Sequence, residues 1–243
     1  MRFANTLVGL ALAAGFGTWP CVPAGAQANA TLRGTVAAPA GTAAESLSVG
    51  DLLDLRTVSV SDLSSDGRWL AITVAVRRDG LGVDFSRDGD QTYLRGSPAE
   101  LLVVDTRSLA QRPVFRGKTM VRNATWSPDA SRLAMFVIAN DALQLQVWDR
   151  ATGRVTSPTL PPGQYVAENS ELRWTGDGKG IAFALRTNAW RERAKKRFDE
   201  LTKGPITVLD GTDDFLEWDD MNRMNLERSI VLWDVGAPTV RTI

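Results

Sequence analysis

The stretch WSPDASRLA at residues 126–134 recurs as LSSDGRWLA at residues 63–71 and as WTGDGKGIA at residues 174–182. The three copies align without a gap, and each places a large apolar residue, a hydroxyl, Asp, a small residue and a final Ala at the same positions. Ser or Thr followed two positions later by Asp is turn chemistry, because both side chains hydrogen-bond their own backbone. The apolar flanks then belong to two strands that the turn joins, so each copy predicts the first hairpin of a repeated β unit.

Each copy is followed by a second motif, in which an apolar strand ends in Asp and a turn, and a short fourth strand is expected after it. The first-motif aspartates are 63 and then 48 residues apart. Units of four strands, repeating every ~40–50 residues with insertions in loops, are typical of β-propeller blades. The turn aspartates that mark the repeat are Asp66, Asp129, Asp177, Asp105, Asp149 and Asp234. The strand tryptophans are expected in the core between blades, and they are Trp69, Trp126, Trp148, Trp174 and Trp233.

The repeat predicts an all-β fold of about three four-stranded propeller blades, at residues 57–117, 121–160 and 170–243. A propeller closes on itself so that no sheet edge stays open, and known rings use about four to eight blades. Three blades form an incomplete ring, so we expect the sequence to be the N-terminal piece of a longer protein. The alternative is a three-blade chain that oligomerises to close its ring.

The N-terminal region predicts export from the cell. Residues 1–28 resemble a secretory signal peptide, with a positive charge, an apolar stretch at 7–16 too short to span a bilayer, and small-residue cleavage sites. Residues 29–45 are rich in Ala, Gly, Thr and Pro and predict a flexible leader. The single cysteine, Cys21, lies inside the signal peptide, so the mature chain has no disulfide. We expect a bacterial periplasmic or secreted protein with no membrane span after signal cleavage.

The composition excludes several chemistries. The formal net charge is zero, which gives no electrostatic basis for binding nucleic acid. No histidine and no G-x-S-x-G motif occur, so this chain cannot build a Ser-His-Asp triad or an HExxH zinc site. We therefore expect no catalytic residue, no cofactor and no metal, and an inactive chain when it is alone. Four aspartates on the loop 77–98 match no EF-hand spacing and fit turn chemistry instead, namely Asp79, Asp84, Asp88 and Asp90.

One segment, residues 187–228, interrupts the third blade and is far longer than a hairpin loop of ~2–5 residues. Residues 189–201 predict a helix with one apolar face, formed by Trp190, Ala194, Phe198 and Leu201. The rest of that helix is basic, whereas the second half of the insertion is acidic. In the simpler interpretation the two halves pair with each other. In the other, the insertion packs over the propeller and contacts a substrate or another domain.

Two further stretches resemble a known family. LSVGDLLDLR at residues 47–56 leads directly into the first repeat copy and resembles the start of bacterial prolyl-oligopeptidase-family serine peptidases. FLEWDD at residues 215–220, followed by RSIVLWD at residues 228–234, is similar to secreted members of that family. The Asp-Gly turn itself is shared with TolB-like propellers. The resemblance covers roughly residues 46–243.

The resemblance implies a two-domain peptidase, in which the propeller gates and docks peptide substrates for a C-terminal α/β-hydrolase domain. That second domain would hold the Ser, Asp and His, and it is absent from this chain. In dipeptidyl-peptidase relatives, acidic residues of a propeller insertion hold the free amino terminus of the substrate. This makes Glu217, Asp219 and Asp220 candidate substrate-binding residues. The alternative, from a different functional class, is a TolB-like periplasmic propeller that binds or interacts without catalysis.

Overall fold

The computed structural model of the protein describes residues 46–203 and 222–243. The expected signal peptide and leader lie outside the described residues, as does most of the acidic half of the insertion. The described chain begins with helix α1 (Val49–Leu53), which starts with a capping box. The Ser48 hydroxyl accepts from the Asp51 amide at 3.2 Å, and the Asp51 carboxylate accepts from the Ser48 amide at 2.8 Å. Among the residues that the structure describes, no helix has the length and hydropathy of a membrane span.

The first repeat unit is a four-stranded antiparallel sheet in which the strands pair in chain order. Its strands are β1 (Arg56–Leu63), β2 (Trp69–Val76), β3 (Ala99–Asp105) and β4 (Gln111–Pro113). Strands β2 and β3 are rich in aliphatic residues, which suits a pleated sheet with neighbours on its faces. The long connection between β2 and β3 contains two short 3-10 turns, at Arg77–Gly80 and Phe85–Arg87.

The second and third units repeat this order. The second consists of β5 (Val121–Trp126), β6 (Arg132–Ala139), β7 (Ala142–Asp149) and β8 (Val155–Thr156). After a further strand, β9 (Gln164–Val166), the third unit consists of β10 (Arg173–Trp174), β11 (Gly180–Thr187), β12 (Ser229–Asp234) and β13 (Arg241–Thr242). Helix α2 (Asn188–Leu201) lies in the chain between β11 and β12. The insertion therefore separates the second and third strands of the third unit.

Strand β9 is an addition that the repeat does not predict. Its residue Val166 pairs with Leu143 of β7 and with Leu185 of β11, so the second and third units join into one nine-stranded sheet. The segment around Val166 is buried, and buried backbone groups need hydrogen-bond partners, which the ends of the two neighbouring strands supply. A strand of three residues is too short to show a two-residue period, so no sequence pattern predicts it.

The hydrophobic core lies between adjacent units, whose sheet faces pack against each other. Alternate residues of β6 serve two clusters: Met135 contributes to the cluster shared with the first unit, and Phe136 to the cluster shared with the third. The Phe136 ring meets the Phe183 ring edge-on, with centroids 6.5 Å apart. All five strand tryptophans lie in or against these clusters. The predicted all-β fold class of four-stranded, face-packed blades is confirmed.

Candidate functional site

The blades present two different ends, because the connections of an antiparallel meander alternate between them. We call the end with the β1–β2 and β3–β4 connections, and their equivalents, the turn edge. The opposite end, with the β2–β3 connections and their equivalents, is the loop edge. The register fixes this assignment: Trp69 pairs with Asp105 beside the turn edge, and Ala75 pairs with Ala99 beside the loop edge. The loop 77–98 and the insertion both leave the blades at the loop edge.

At the turn edge, the first-motif aspartates fold back on their own turns. In the second blade, the Asp129 carboxylate accepts from the Ser127 hydroxyl at 2.6 Å and from the Ser131 amide at 3.1 Å. The same contacts recur around Asp66 and Asp177. These hydrogen bonds hold the pKa of each carboxyl below its ordinary value. The largest cause is in each case the bond from the hydroxyl of Ser64, Ser127 or Thr175. Each of the three carboxylates thus accepts hydrogen bonds from its own turn and stabilises that turn.

The second-motif aspartates lie at the same edge with more varied partners. The Asp149 carboxylate accepts from the Thr152 hydroxyl at 2.7 Å and amide at 2.8 Å, and the hydroxyl bond is the main cause of its lowered pKa. Asp105 accepts from the amide two residues further on at 2.9 Å, which lowers its pKa too. Asp234 instead lies 3.8 Å from Arg241. The structure therefore brings all six turn aspartates to one end of the blades, as members of turns.

The loop 77–98 makes polar contacts within itself and with the segment that follows β4. The buried Asp90 carboxylate accepts from the Thr92 amide at 2.8 Å and hydroxyl at 2.7 Å, and it pairs with Arg87 at 2.6 Å. Asp79 pairs with Lys118 at 2.7 Å. These aspartates take part in turns and ion pairs. Across residues 46–203 and 222–243, no group of three or more metal-ligating side chains is arranged to hold a metal ion.

A buried ion cluster anchors the insertion to the loop edge. The carboxylate of Glu168, just after β9, lies 2.9 Å from Nη1 of Arg186 and 3.4 Å from Nη2 of Arg191. The Arg186 side chain has no exposed surface, and that of Glu168 is 6% exposed. Nη2 of Arg186 also donates to the backbone carbonyl of Asn225 at 2.8 Å and to its side-chain oxygen at 3.0 Å. A single carboxylate and its arginine therefore fix the start and the end of the insertion together.

Two aromatic rings complete the cluster. The Arg186 guanidinium stacks 3.7 Å from the centroid of the Trp190 ring, and the Arg191 guanidinium stacks 3.8 Å from that of Tyr165. Nε1 of Trp190 donates to the Met224 carbonyl at 2.8 Å, which is a second tie between α2 and the end of the insertion. Burial, and then the nearby carboxylate, raise the pKa of the Tyr165 hydroxyl. The cluster joins one carboxylate to two arginines that stack on packed rings, so it is suited to fixing geometry.

The sequence-predicted site residues fall on different parts of the chain. The candidate substrate-binding residues Glu217, Asp219 and Asp220 lie outside the described residues. The helix expected at 189–201 is α2, which begins one residue earlier because the Thr187 hydroxyl caps it by accepting from the Trp190 amide at 3.2 Å. Its four expected apolar residues are buried. The sequence did not reveal Glu168 or Arg186, although a charge ending the apolar run of β11 was a usable signal.

Comparison with known proteins gives a weak similarity of fold. No family model matches the sequence, and no curated protein matches it. Similar solved structures include oligogalacturonate lyase from Vibrio parahaemolyticus (13% identity, TM-score 0.47), TolB from Acinetobacter baumannii (13%, 0.39) and an acylaminoacyl peptidase from Pyrococcus horikoshii (10%, 0.41). They match 75%, 74% and 77% of this chain, which in turn covers 40%, 31% and 25% of theirs. The chain thus spans less than half the length of each of these structures.

Proposed function

We propose that this chain is the N-terminal propeller part of a secreted serine peptidase, and that its loop edge gates and docks peptide substrates. The observation that carries the proposal is the difference between the two ends of the blades. The turn edge consists of short turns, and five of its six turn aspartates accept hydrogen bonds within those turns. The loop edge instead carries the loop 77–98 and the anchored insertion. Long, ordered loops on a rigid scaffold commonly carry binding. The resemblance of residues 47–56 and 215–220 to prolyl-oligopeptidase-family peptidases supports the same function.

In this proposal the chain restricts and orients substrates, and another domain cleaves them. The 243 residues contain no histidine, so a Ser-His-Asp triad has to come from outside this sequence. The face-packed blades supply a rigid frame, and the cluster around Arg186 fixes the insertion on that frame. A rigid rim of loops admits an extended peptide and excludes a folded protein by size. Holding the peptide in one orientation lowers the entropic part of the barrier for the hydrolase domain.

Export belongs to the same proposal. If residues 1–28 are a cleaved signal peptide, Edman sequencing of the protein from the periplasm or medium should begin at about residue 29. Recovery of the protein in the cytosol with its original N-terminus would contradict this part of the proposal without affecting the peptidase part.

A TolB-like binding propeller is the second candidate, because the Asp-Gly turn at residues 64–67 is common to such propellers and to the peptidase family. The two functions differ in chemistry. A peptidase carries an activated serine that reacts with fluorophosphonate probes, whereas a binding propeller carries none.

The experiment uses the full-length protein as its native host makes it. It is treated with a fluorophosphonate probe, and its hydrolysis of an unstructured fluorogenic peptide is compared with hydrolysis of the same peptide built into a stable folded protein. We expect covalent labelling and cleavage of the free peptide only. Absence of labelling and hydrolysis would overturn the peptidase function, and equal cleavage of both substrates would overturn the gating function.

A further inference from the structure

A continuous series of polar contacts connects the two long elements of the loop edge. The carbonyl of Arg95, in the loop 77–98, accepts from Nη2 of Arg122 at 3.0 Å. Nη1 of the same Arg122 donates to the backbone carbonyl of Glu168 at 3.4 Å. The Glu168 carboxylate binds Arg186 at 2.9 Å, and Arg186 donates to Asn225 at 2.8 Å. The series therefore runs from the first blade, across the second, to the insertion in the third.

The backbone of the second blade explains how Arg122 reaches both neighbours. Strand β5 has a register irregularity between Arg122 and Thr125, and Asn123 has a φ of 51°. Such bulges redirect the side chains beside them. Nδ2 of the Asn123 side chain also donates to the Ser170 backbone carbonyl at 3.3 Å. Two consecutive residues of β5 therefore hold the segment that carries Glu168. The position of Glu168 thus depends on β5 as well as on the insertion.

The charges of the cluster make Glu168 its central member. This carboxylate faces both Arg186 and Arg191, and its side chain is almost completely buried. Removing one partner of a buried ion pair leaves the other charge without compensation in a poorly solvated site. Loss of the Glu168 charge would therefore release the arginines, and with them the contact from Arg186 to the end of the insertion.

We propose that Glu168 is a positioning residue that couples the loop 77–98 to the described parts of the insertion, residues 187–203 and 222–228, so that a change in one of these elements alters the stability of the other. The coupling goes beyond the proposed function and does not depend on it. It is a free energy between two sites and must be reciprocal. A perturbation of the insertion therefore has to change the local stability of the loop, and a perturbation of the loop has to change the local stability of the insertion.

The first experiment measures amide hydrogen exchange in the full chain carrying Glu168→Gln, which keeps the shape and removes the charge. We expect exchange to become about tenfold faster in 188–201 and 222–228 and also clearly faster in 85–95, since local opening free energies set these rates. Glu171→Gln is the matched control, because the Glu171 side chain is 73% exposed and pairs with the exposed Arg173 at 2.9 Å. The control is expected to change exchange by less than about twofold.

The second experiment tests reciprocity with Arg122→Gln, which removes the tie on the loop side. We expect faster amide exchange in residues 222–228. In the double variant with Glu168→Gln, the fold increase in exchange rate should be less than the product of the increases in the two single variants. The proposal is overturned if Glu168→Gln affects only the insertion, or if Arg122→Gln affects only the loop. Near-ultraviolet circular dichroism checks that each variant folds. If Glu168→Gln does not fold, Arg191→Gln, which removes the more exposed of the two arginine contacts, provides the same comparison.

Discussion

Replacement of Phe136 with Ala tests whether the blades pack into one cooperative core. The Phe136 side chain has no exposed surface and lies in the cluster between the second and third blades. Removing a buried aromatic ring costs the lost transfer free energy and leaves a cavity, together about 3–5 kcal/mol of the free energy of unfolding. Within that total, the edge-on contact with Phe183, at 6.5 Å between centroids and 65° between planes, accounts for about 0.5–1.5 kcal/mol.

The assay is urea unfolding of the chain, followed by tryptophan fluorescence and far-ultraviolet circular dichroism. The midpoint should fall while the slope stays the same, because the surface exposed on unfolding is unchanged. A double-mutant cycle with Phe183→Leu isolates the ring contact. Val58→Ala is the control, because Val58 is 60% exposed on β1, and it should change the free energy of unfolding by less than about 0.5 kcal/mol.

The result that refutes this reasoning is a loss of less than about 1 kcal/mol for Phe136→Ala, which is the central value for ordinary substitutions. Two separate unfolding transitions would also refute it, since they would show blades that unfold independently. If Phe136→Ala is too unstable to purify, Phe136→Leu keeps most of the volume and should lose on the order of 1 kcal/mol.

Three further predictions concern the cluster and the turns. Arg186→Met should lower the free energy of unfolding by about 3–5 kcal/mol in the same assay, because it leaves Glu168 buried with one weaker partner; a loss below about 1 kcal/mol would mean that Arg191 compensates fully. Gly67→Ala should cost about 1 kcal/mol, because Gly67 has a φ of +70° but an added Cβ meets nothing within 4 Å; a stabilised variant would contradict the turn geometry. Because the pKa of Asp129 is lowered in the folded state, its carboxylate stabilises the fold at pH values above the unfolded-state pKa of about 3.9. This stabilisation is lost as the pH falls through the lower folded-state pKa, so the melting temperature should drop below about pH 4. That drop should be smaller in Asp129→Asn, and equal drops in both proteins would contradict the role of this carboxyl.

Local chemistry made much of the fold predictable. A hydroxyl, an Asp and a residue that accepts positive φ within four positions specify a turn through contacts inside that turn, as the bonds between Ser127 and Asp129 show. The motif repeats with apolar flanks, so strand order and the faces of the strands follow from the sequence. The Ser48 capping box and the buried face of α2 are equally local. Blade 2 even tolerates Ala130 at a φ of 55°, where the other two copies use Gly.

The candidate site was less predictable because its contacts join distant parts of the chain. Glu168 lies in an irregular connection, and its partner Arg186 is 18 residues away, while Asn225 is a further 39 residues along. No periodic pattern marks residues that meet only when the segment after β9, strand β11 and the end of the insertion come together. Strand β9 was not predicted from the sequence for the same reason, because its pairing with β7 and β11 depends on the way the second and third blades approach each other.

The most direct test of the proposed function is to read the gene beyond codon 243. We predict more hydroxyl-x-Asp-small turns at blade spacing, followed by a G-x-S-x-G motif and then an Asp and a His in that order. Further blades without a nucleophile motif or a later His would contradict the peptidase proposal and favour a binding propeller.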